Sequence, residues 1–189
     1  MSSQNSRSSI HAYITATIQD DGKLQSYRDY LLSRYSPFQK YEKHPDPHIT
    51  IMPEFAIPSI EFHELTQVVS SLNLESRIIP ITGIGVYPSA QYPRVILLDI
   101  DIDLNHERRK LTETITELGG MIYTDPVNPH VTLFQDTVKT GMNRFPTSVD
   151  NATVLSEEIY RQRQLLDQAP RSVTVEYVDI RYDESKSDI

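Results

Sequence analysis

Two short β-prone segments of this chain carry the same pattern of side chains. Residues 48–51 read HITI and residues 130–133 read HVTL, and each segment follows an x-Pro step. Side chains alternate between the two faces of a strand, so each segment puts its histidine and threonine on one face and its aliphatic residues on the other. We therefore expect two strands that occupy corresponding places in one fold.

If the two strands lie side by side, two imidazoles and two hydroxyls face one groove. Imidazoles exchange protons near neutral pH, and hydroxyls donate hydrogen bonds to phosphate oxygens. This combination suits phosphodiester chemistry, with His48 and His130 as candidate catalytic residues and Thr50 and Thr132 as candidate substrate-binding residues. The alternative is that both histidines are partly buried strand residues that hydrogen-bond to their neighbours.

The hydrophobic pattern around the motifs repeats the order strand, helix, motif strand, helix, strand. It predicts strands at 10–18, 77–87, 95–102 and 173–182 and helices at 24–35, 62–72, 104–118 and 155–169. We expect Pro53 to end the first motif strand and Asp103 to cap a helix. The order favours an α+β fold that is bilobal, with two pseudo-twofold-related antiparallel sheets, flanking helices and a central groove.

Length, charge and cysteine content narrow the class of protein. The chain has 189 residues, a net charge of −8 and no cysteine. We expect one domain over 10–183 with flexible tails at 1–9 and 184–189. An acidic surface disfavours duplex DNA and anionic membranes as partners, and the absence of cysteine excludes disulfides and thiolate metal sites. We expect a cytoplasmic monomer, since no apolar signal segment or membrane span is evident.

The segment between the motifs adds a further pattern. Residues 83–88 read GIGVYP and residues 93–98 read PRVILL. With the two motifs, this hairpin-like stretch resembles the 2H phosphoesterase superfamily, in particular its RNA 2′-5′ ligase-like (LigT-like) and 2′,3′-cyclic phosphodiesterase branches. Members commonly carry an arginine soon after the second motif, where this chain has Phe134 and Gln135.

The resemblance implies a fold and a chemistry. The fold is bilobal α+β, with both histidines and both threonines lining a central groove. The implied activity is hydrolysis of 2′,3′-cyclic phosphates on RNA ends or small cyclic nucleotides, without a metal or other cofactor. Some members also join RNA ends through a 2′-5′ linkage. One imidazole must be neutral and the other protonated, and the sequence leaves open which is which.

Five further residues are candidates for substrate binding. Arg94 could add positive charge to the groove, or lie exposed at the start of a strand. His11 and Tyr13 lie on the polar face of the first predicted strand, where they could contact base or sugar. Tyr87 and Phe134 could stack on a base, although aromatic residues more often pack in a core.

Two other functions remain open at this point. The same site could act on a cyclic oligonucleotide signal. Alternatively, the chain could be a non-catalytic protein that binds RNA ends or nucleotides in the same groove. The presence of both histidines favours an enzyme, because binding alone does not need two proton-exchanging groups.

Overall fold

The computed structural model describes residues 8–19, 21–34, 41–43, 46–88, 93–136 and 163–182. The strands are β1 (Ser9–Ile18), β2 (Tyr41–Lys43), β3 (His48–Pro58), β4 (Ile78–Pro88), β5 (Pro93–Ile100), β6 (Met121–Ile122), β7 (His130–Asp136) and β8 (Ser172–Tyr182). The α-helices are α1 (Lys23–Arg34), α2 (Phe62–Ser70), α3 (Asn105–Glu117) and α4 (Arg163–Asp167), and a 3-10 turn (Ser59–Glu61) precedes α2. Across these ranges, the helices are too short or too polar to span a bilayer.

The chain runs through one element order twice. The first repeat is β1-α1-β2-β3-α2-β4 and the second is β5-α3-β6-β7-α4-β8. The order predicted from the sequence is therefore confirmed, with one short strand added before each motif strand. Residues 155–162 of the last predicted helix lie outside the described residues. The repeats also exchange strands: β2 pairs with β7, β6 pairs with β3, β4 pairs with β5 and β8 pairs with β1.

Strand exchange builds one eight-stranded sheet from two similar halves. The order is β2-β7-β5-β4-β8-β1-β3-β6, and β7 also pairs with β3. One half reads β6-β3-β1-β8 and the other β2-β7-β5-β4, so each motif strand holds the second position in its half. The strand pairs of the described residues are antiparallel, which confirms the predicted α+β class. The two predicted sheets are joined as pseudo-twofold-related halves of one sheet.

The core lies on one face of this sheet. The aliphatic residues of the motifs face it, and Ile49, Ile51, Val131 and Leu133 are at most 1% exposed. The buried apolar side chains of the four helices join the same cluster: Leu24, Tyr27, Leu31, Leu65, Val69, Leu111, Ile115 and Leu165. Burial of this apolar set fixes the strand faces, because a slip of one residue would turn every aliphatic side chain toward solvent.

Two predicted boundaries were tested by the structure. The expectation that Pro53 ends the first motif strand is wrong, because β3 continues to Pro58. The registers of β1 and β3 shift on both sides of Ile14, so Pro53 lies in an irregular stretch of the strand. A proline is tolerated at such a place, since it has no N–H to donate to the ladder. The expectation that Asp103 is the N-cap of α3 is also wrong, because that position is taken by Leu104. Asp103 lies one residue earlier, where its Oδ1 accepts a hydrogen bond from the Asn105 N–H at 2.9 Å.

Candidate active site

The strand register brings the two motifs together. Ile49 of β3 and Val131 of β7 are antiparallel partners. In an antiparallel pair the residues on either side of such partners also face each other across the strands, and they point to the opposite face. Two histidine–threonine neighbours therefore lie on the face away from the core, namely His48 with Thr132 and Thr50 with His130. We call this side of the sheet the motif face.

The geometry of such a pair suits a phosphate group. In antiparallel pairs the Cβ atoms of directly opposed residues are about 4.5–5.5 Å apart, and diagonal neighbours are roughly 7–8 Å apart. The two histidines are diagonal neighbours of this kind. A phosphate with one hydrogen bond on each side can span that diagonal. All four motif side chains are only half-buried, so solvent reaches them. The arrangement can therefore place two imidazoles and two hydroxyls around one phosphorus atom.

Each imidazole is held by the same backbone contact. Nδ1 of His48 lies 2.8 Å from the carbonyl oxygen of Asp46, and Nδ1 of His130 lies 2.9 Å from that of Asn128. A carbonyl oxygen only accepts, so Nδ1 carries the hydrogen and donates in both cases. Nε2 is then the nitrogen that gains or loses a proton.

The x-Pro steps explain why both motifs make this contact. Pro47 and Pro129 stand between each histidine and its carbonyl acceptor. The pyrrolidine ring fixes φ, and it also biases the preceding residue toward an extended backbone. Each acceptor carbonyl is therefore held in one direction, two residues before its imidazole.

The neighbours of the two histidines differ in charge. Thr17 of β1 is the cross-strand partner of His48, whereas Asp99 of β5 is the partner of His130. Both partners lie on the motif face, because antiparallel partners share a face. The two ends of the candidate site are thus chemically different despite the repeated fold.

Arg181 of β8 brings a guanidinium close to His48, a residue that the sequence analysis missed. Its Nη2 lies 3.4 Å from the Thr17 hydroxyl, and its Nη1 lies 3.6 Å from the Asp46 carboxylate. Both distances are long for hydrogen bonds, and the side chain is 22% exposed. Arg181 can therefore turn its donors toward an anion. Its place as the cross-strand partner of Tyr13 follows from the β1–β8 register, which the sequence alone does not give.

Arg108 of α3 is a second residue that the sequence analysis missed. Its Nε donates to the carbonyl oxygen of Ile51 at 2.9 Å, and its Nη2 donates to the carbonyls of Val127 at 2.8 Å and Thr50 at 3.3 Å. Burial lowers the pKa of this guanidinium from its ordinary value. An arginine nevertheless stays charged at neutral pH.

His11 and Tyr13 lie on the motif face of β1, as predicted, but His11 has other partners. Its ring stacks on Tyr123 with centroids 5.5 Å apart, and its Nδ1 lies 3.7 Å from a carboxylate oxygen of Glu54. Thr15, which pairs with Thr50 of the first motif, lies four residues from His11 along β1. At the usual rise of a strand this separation is about 13 Å. The structure thus separates His11 from the motif residues, while Tyr13 is half-buried beside Arg181.

Phe134 does not line the site, because its side chain is 0% exposed, so its assignment to substrate binding is wrong and the alternative of core packing is confirmed. Simple alternation from Thr132 would put Phe134 on the motif face. The register of β5 and β7 shifts between Ile96 and Leu97, so Leu133 and Phe134 both turn into the core. The side chains of the two remaining candidates, Arg94 and Tyr87, lie outside the described residues.

Comparison with known proteins gives a clear result for the fold. No protein-family model and no curated protein matches the chain. The solved structures that resemble it include E. coli LigT in its apo form, with 11% identity, a TM-score of 0.56, and coverage of 95% of this chain and 92% of LigT. Usb1 of Kluyveromyces marxianus shares 11% identity, with a TM-score of 0.57 over 90% of this chain and 93% of Usb1.

The PDE domain of MHV ns2 is a third similar structure, with 11% identity, a TM-score of 0.52, and coverage of 92% of this chain and 99% of that domain. At such low identity the likeness establishes the fold. Nearly the whole of each chain takes part in the match, so the similarity extends beyond the motif strands. This chain therefore has the α+β fold of LigT, Usb1 and the ns2 PDE domain.

Proposed function

We propose that this chain is a metal-independent phosphodiesterase that hydrolyses 2′,3′-cyclic phosphates at RNA ends or on nucleotides. His48 and His130 act as the acid–base pair, and Thr50 and Thr132 bind the phosphate. The observation that carries the proposal is the matched pair of Nδ1–carbonyl hydrogen bonds, at 2.8 and 2.9 Å. A histidine packed in a core can hydrogen-bond to any neighbouring group, whereas here both rings donate from Nδ1 to a carbonyl two residues earlier. This shared contact supports Nε2 as the proton-exchanging atom of both rings.

The reaction assigned to this pair is an in-line displacement at phosphorus. Nε2 of the neutral imidazole accepts a proton from water while the water oxygen forms a bond to phosphorus. The bond from phosphorus to the 2′ or 3′ oxygen breaks, and Nε2 of the protonated imidazole gives that oxygen its proton. The product is a nucleoside 2′- or 3′-phosphate. The two histidines have then exchanged protonation states and return to the starting state by proton exchange with water.

The threonines supply the remaining assistance. Each lies across the strands from the histidine of the other motif, so the two hydroxyls flank the same phosphate as the two imidazoles. Hydroxyl donors stabilise the non-bridging oxygens, where negative charge increases in the transition state. Proton transfers of this kind are worth about 10²–10⁴-fold in rate each. Together these groups can support hydrolysis without a metal ion.

The structural neighbours support a nucleotide ligand. E. coli LigT has a solved complex with NADP+, and its fold matches this chain with 12% identity, a TM-score of 0.51, and coverage of 96% of this chain and 91% of LigT. The MHV ns2 domain is named as a PDE. These likenesses agree with a nucleotide phosphodiester as the substrate class, and the joining of RNA ends is a further activity to assay.

The test is turnover of a nucleoside 2′,3′-cyclic phosphate in the presence of EDTA. We expect the wild-type chain to hydrolyse this substrate. The dependence of kcat/KM on pH should be bell-shaped, because one imidazole must be neutral and the other protonated. His48→Ala and His130→Ala should each lose more than about 100-fold in kcat. His63→Ala is the matched control, since His63 is an exposed histidine of α2.

Three other results of this assay would each indicate a different function or mechanism. Turnover of cyclic dinucleotides but not of nucleoside cyclic phosphates would select a cyclic oligonucleotide as the substrate. Binding without turnover would make the chain a nucleotide-binding protein. Loss of activity in EDTA, restored by a divalent cation, would overturn the metal-independent mechanism.

A further inference from the structure

The guanidinium of Arg108 joins two segments that belong to different motifs. It donates to the carbonyl oxygens of Thr50 and Ile51 in β3 at 3.3 and 2.9 Å, and to that of Val127 at 2.8 Å. Thr50 belongs to the first motif. Val127 immediately precedes Asn128, whose carbonyl accepts the hydrogen bond from His130. One side chain therefore ties the backbone of one motif to the loop that holds the histidine of the other.

The place of these contacts in the sheet explains why an arginine is needed. On its outer edge β3 pairs with β7 at Ile49 and with β6 at Phe55 and Ala56. Arg108 donates to Thr50 and Ile51, which lie on β3 in the gap between these two pairings. Arginine presents five N–H donors in a fixed planar fork, which suits several carbonyls at once. Its partial burial requires such acceptors, because a buried charge without partners is costly.

The equivalent helix of the other repeat carries an arginine at the same place. Residues 24–31 read LQSYRDYL and residues 104–111 read LNHERRKL, so both have leucine, arginine and leucine at matching positions. The leucines of both segments are buried, at 5% exposure or less. Arg28, the counterpart of Arg108, is itself only 5% exposed. Helices α1 and α3 hold corresponding places in the two repeats.

We infer that Arg108 is a positioning residue for His130. It holds the loop before His130 against the first motif strand. Because Arg108 acts on the carbonyl side of His130, it fixes the direction of that Nδ1 hydrogen bond and hence of Nε2. The kinetic test of this inference rests on the proposed function, whereas its spectroscopic test does not.

The experiment compares Arg108→Ala and Arg108→Lys with Arg109→Ala. Arg109 is the matched control, because it is the next residue of α3 and is exposed. A misplacement of about 1 Å costs about 10²-fold in rate. We expect kcat to fall by about 10- to 100-fold in both Arg108 variants, with KM within about twofold of wild type. Lysine should not restore kcat, because it keeps the positive charge but lacks the planar guanidinium that serves several carbonyls at once.

Nitrogen-15 NMR of the histidine side chains supplies the second readout. In the wild-type chain the hydrogen bond to the Asn128 carbonyl protects the Nδ1–H of His130 from exchange with water. We expect this Nδ1–H signal to be lost in Arg108→Lys while that of His48 remains. A purely structural role would lower the melting temperature and leave both signals and kcat unchanged. That result, or loss of both signals in Arg108→Lys, would overturn the inference.

The two readouts also allow for an alanine variant that does not fold and for a wild-type chain that is inactive. If the alanine variant does not fold, Arg108→Lys carries the test, because lysine retains the charge and most of the apolar stem. If the wild-type chain has no phosphodiesterase activity, the proposed function fails while the NMR result still decides the role of Arg108.

Discussion

Asp99 covers the position that a side chain at Gly83 would occupy. A Cβ atom placed on Gly83 would lie 2.8 Å from Oδ2 of Asp99 and 3.4 Å from its Cβ. The carboxylate therefore leans over β4, although Asp99 is also the cross-strand partner of His130. The glycine keeps this negative charge away from the centre of the motif face.

Gly83→Ala should move that carboxylate toward His130 and weaken substrate binding. Two unit charges about 4 Å apart in water interact by about 1 kcal/mol, so we expect KM for a cyclic phosphate to rise about fivefold. In an Asp99→Ala background the same change should have no effect on KM. A double-mutant cycle of KM values makes the comparison, and an equal effect in both backgrounds would show that Asp99 is not the cause.

Thr50→Val and Thr132→Val should slow the reaction without unfolding the chain. Each removes one hydroxyl donor, and such donors are worth about 10²–10³-fold in kcat when they face a developing negative charge. Single-turnover rates with a nucleoside cyclic phosphate measure the effect. Unchanged rates in both variants would remove the threonines from the proposed mechanism.

Thr15→Val is the matched control for those variants. Thr15 is the cross-strand partner of Thr50, but it is 0% exposed, and its hydroxyl has no hydrogen-bond partner among the described residues. An unsatisfied buried hydroxyl costs about 1–3 kcal/mol. We expect Thr15→Val to raise the melting temperature by about 2–12 °C and to leave kcat unchanged. A lower melting temperature would indicate that the hydroxyl has a partner after all.

Arg181→Ala should raise KM for a cyclic phosphate by about tenfold, because a hydrogen bond to a charged group is worth about 1.5–3 kcal/mol and exposure reduces that value. The effect should be larger for a dinucleotide with a terminal cyclic phosphate, which carries a second anion, than for the mononucleoside. Arg171→Ala, at an exposed position before β8, is the control. Steady-state kinetics on both substrates provide the measurement, and equal KM values in Arg181→Ala and wild type would exclude Arg181 from binding.

The acid stability of the chain should depend on a contact between α1 and β2. The Nζ of Lys43 donates to the carboxylate of Asp29. This hydrogen bond is the main cause that lowers the pKa of Asp29 below its ordinary value of 3.8. A carboxyl with a lowered pKa in the folded state stabilises the fold above its unfolded pKa, and the benefit is lost as the pH falls through its folded pKa.

Asp29→Asn should therefore destabilise the chain slightly near neutral pH, and the difference from wild type should shrink below pH 3.8. Urea unfolding at a series of pH values tests this. Glu113→Gln, on an exposed position of α3, controls for the loss of one negative charge. A difference that does not change with pH would show that the contact with Lys43 is not its cause.

The sequence was sufficient for the parts of the fold that depend on long periodic patterns. Strand alternation around His48 and His130 predicted their faces correctly, because four aliphatic residues of the motifs had to be buried. Strands β2 and β6 were not predicted, since they have only three and two residues and exist through pairing with distant strands. Their positions follow from the tertiary fold and not from local pattern.

The errors at Pro53 and Phe134 have a shared physical cause. Each residue lies where the strand register shifts, and a shift changes the alternation that the prediction assumes. Arg108 was missed for a different reason: its acceptors are backbone carbonyls, which every residue possesses. No side-chain pattern could therefore identify its partners.

The strand exchange between the two repeats has a consequence for how such a chain can originate. A polypeptide that contained one repeat alone would leave the outer edge of its motif strand uncovered, and it would present one imidazole where two are needed. Two identical copies could satisfy both requirements by trading strands, as a symmetric homodimer with one histidine from each subunit. The present chain has the architecture that fusion of such a dimer would leave, and fusion allows Thr17 and Asp99 to diverge at positions that symmetry would otherwise keep identical.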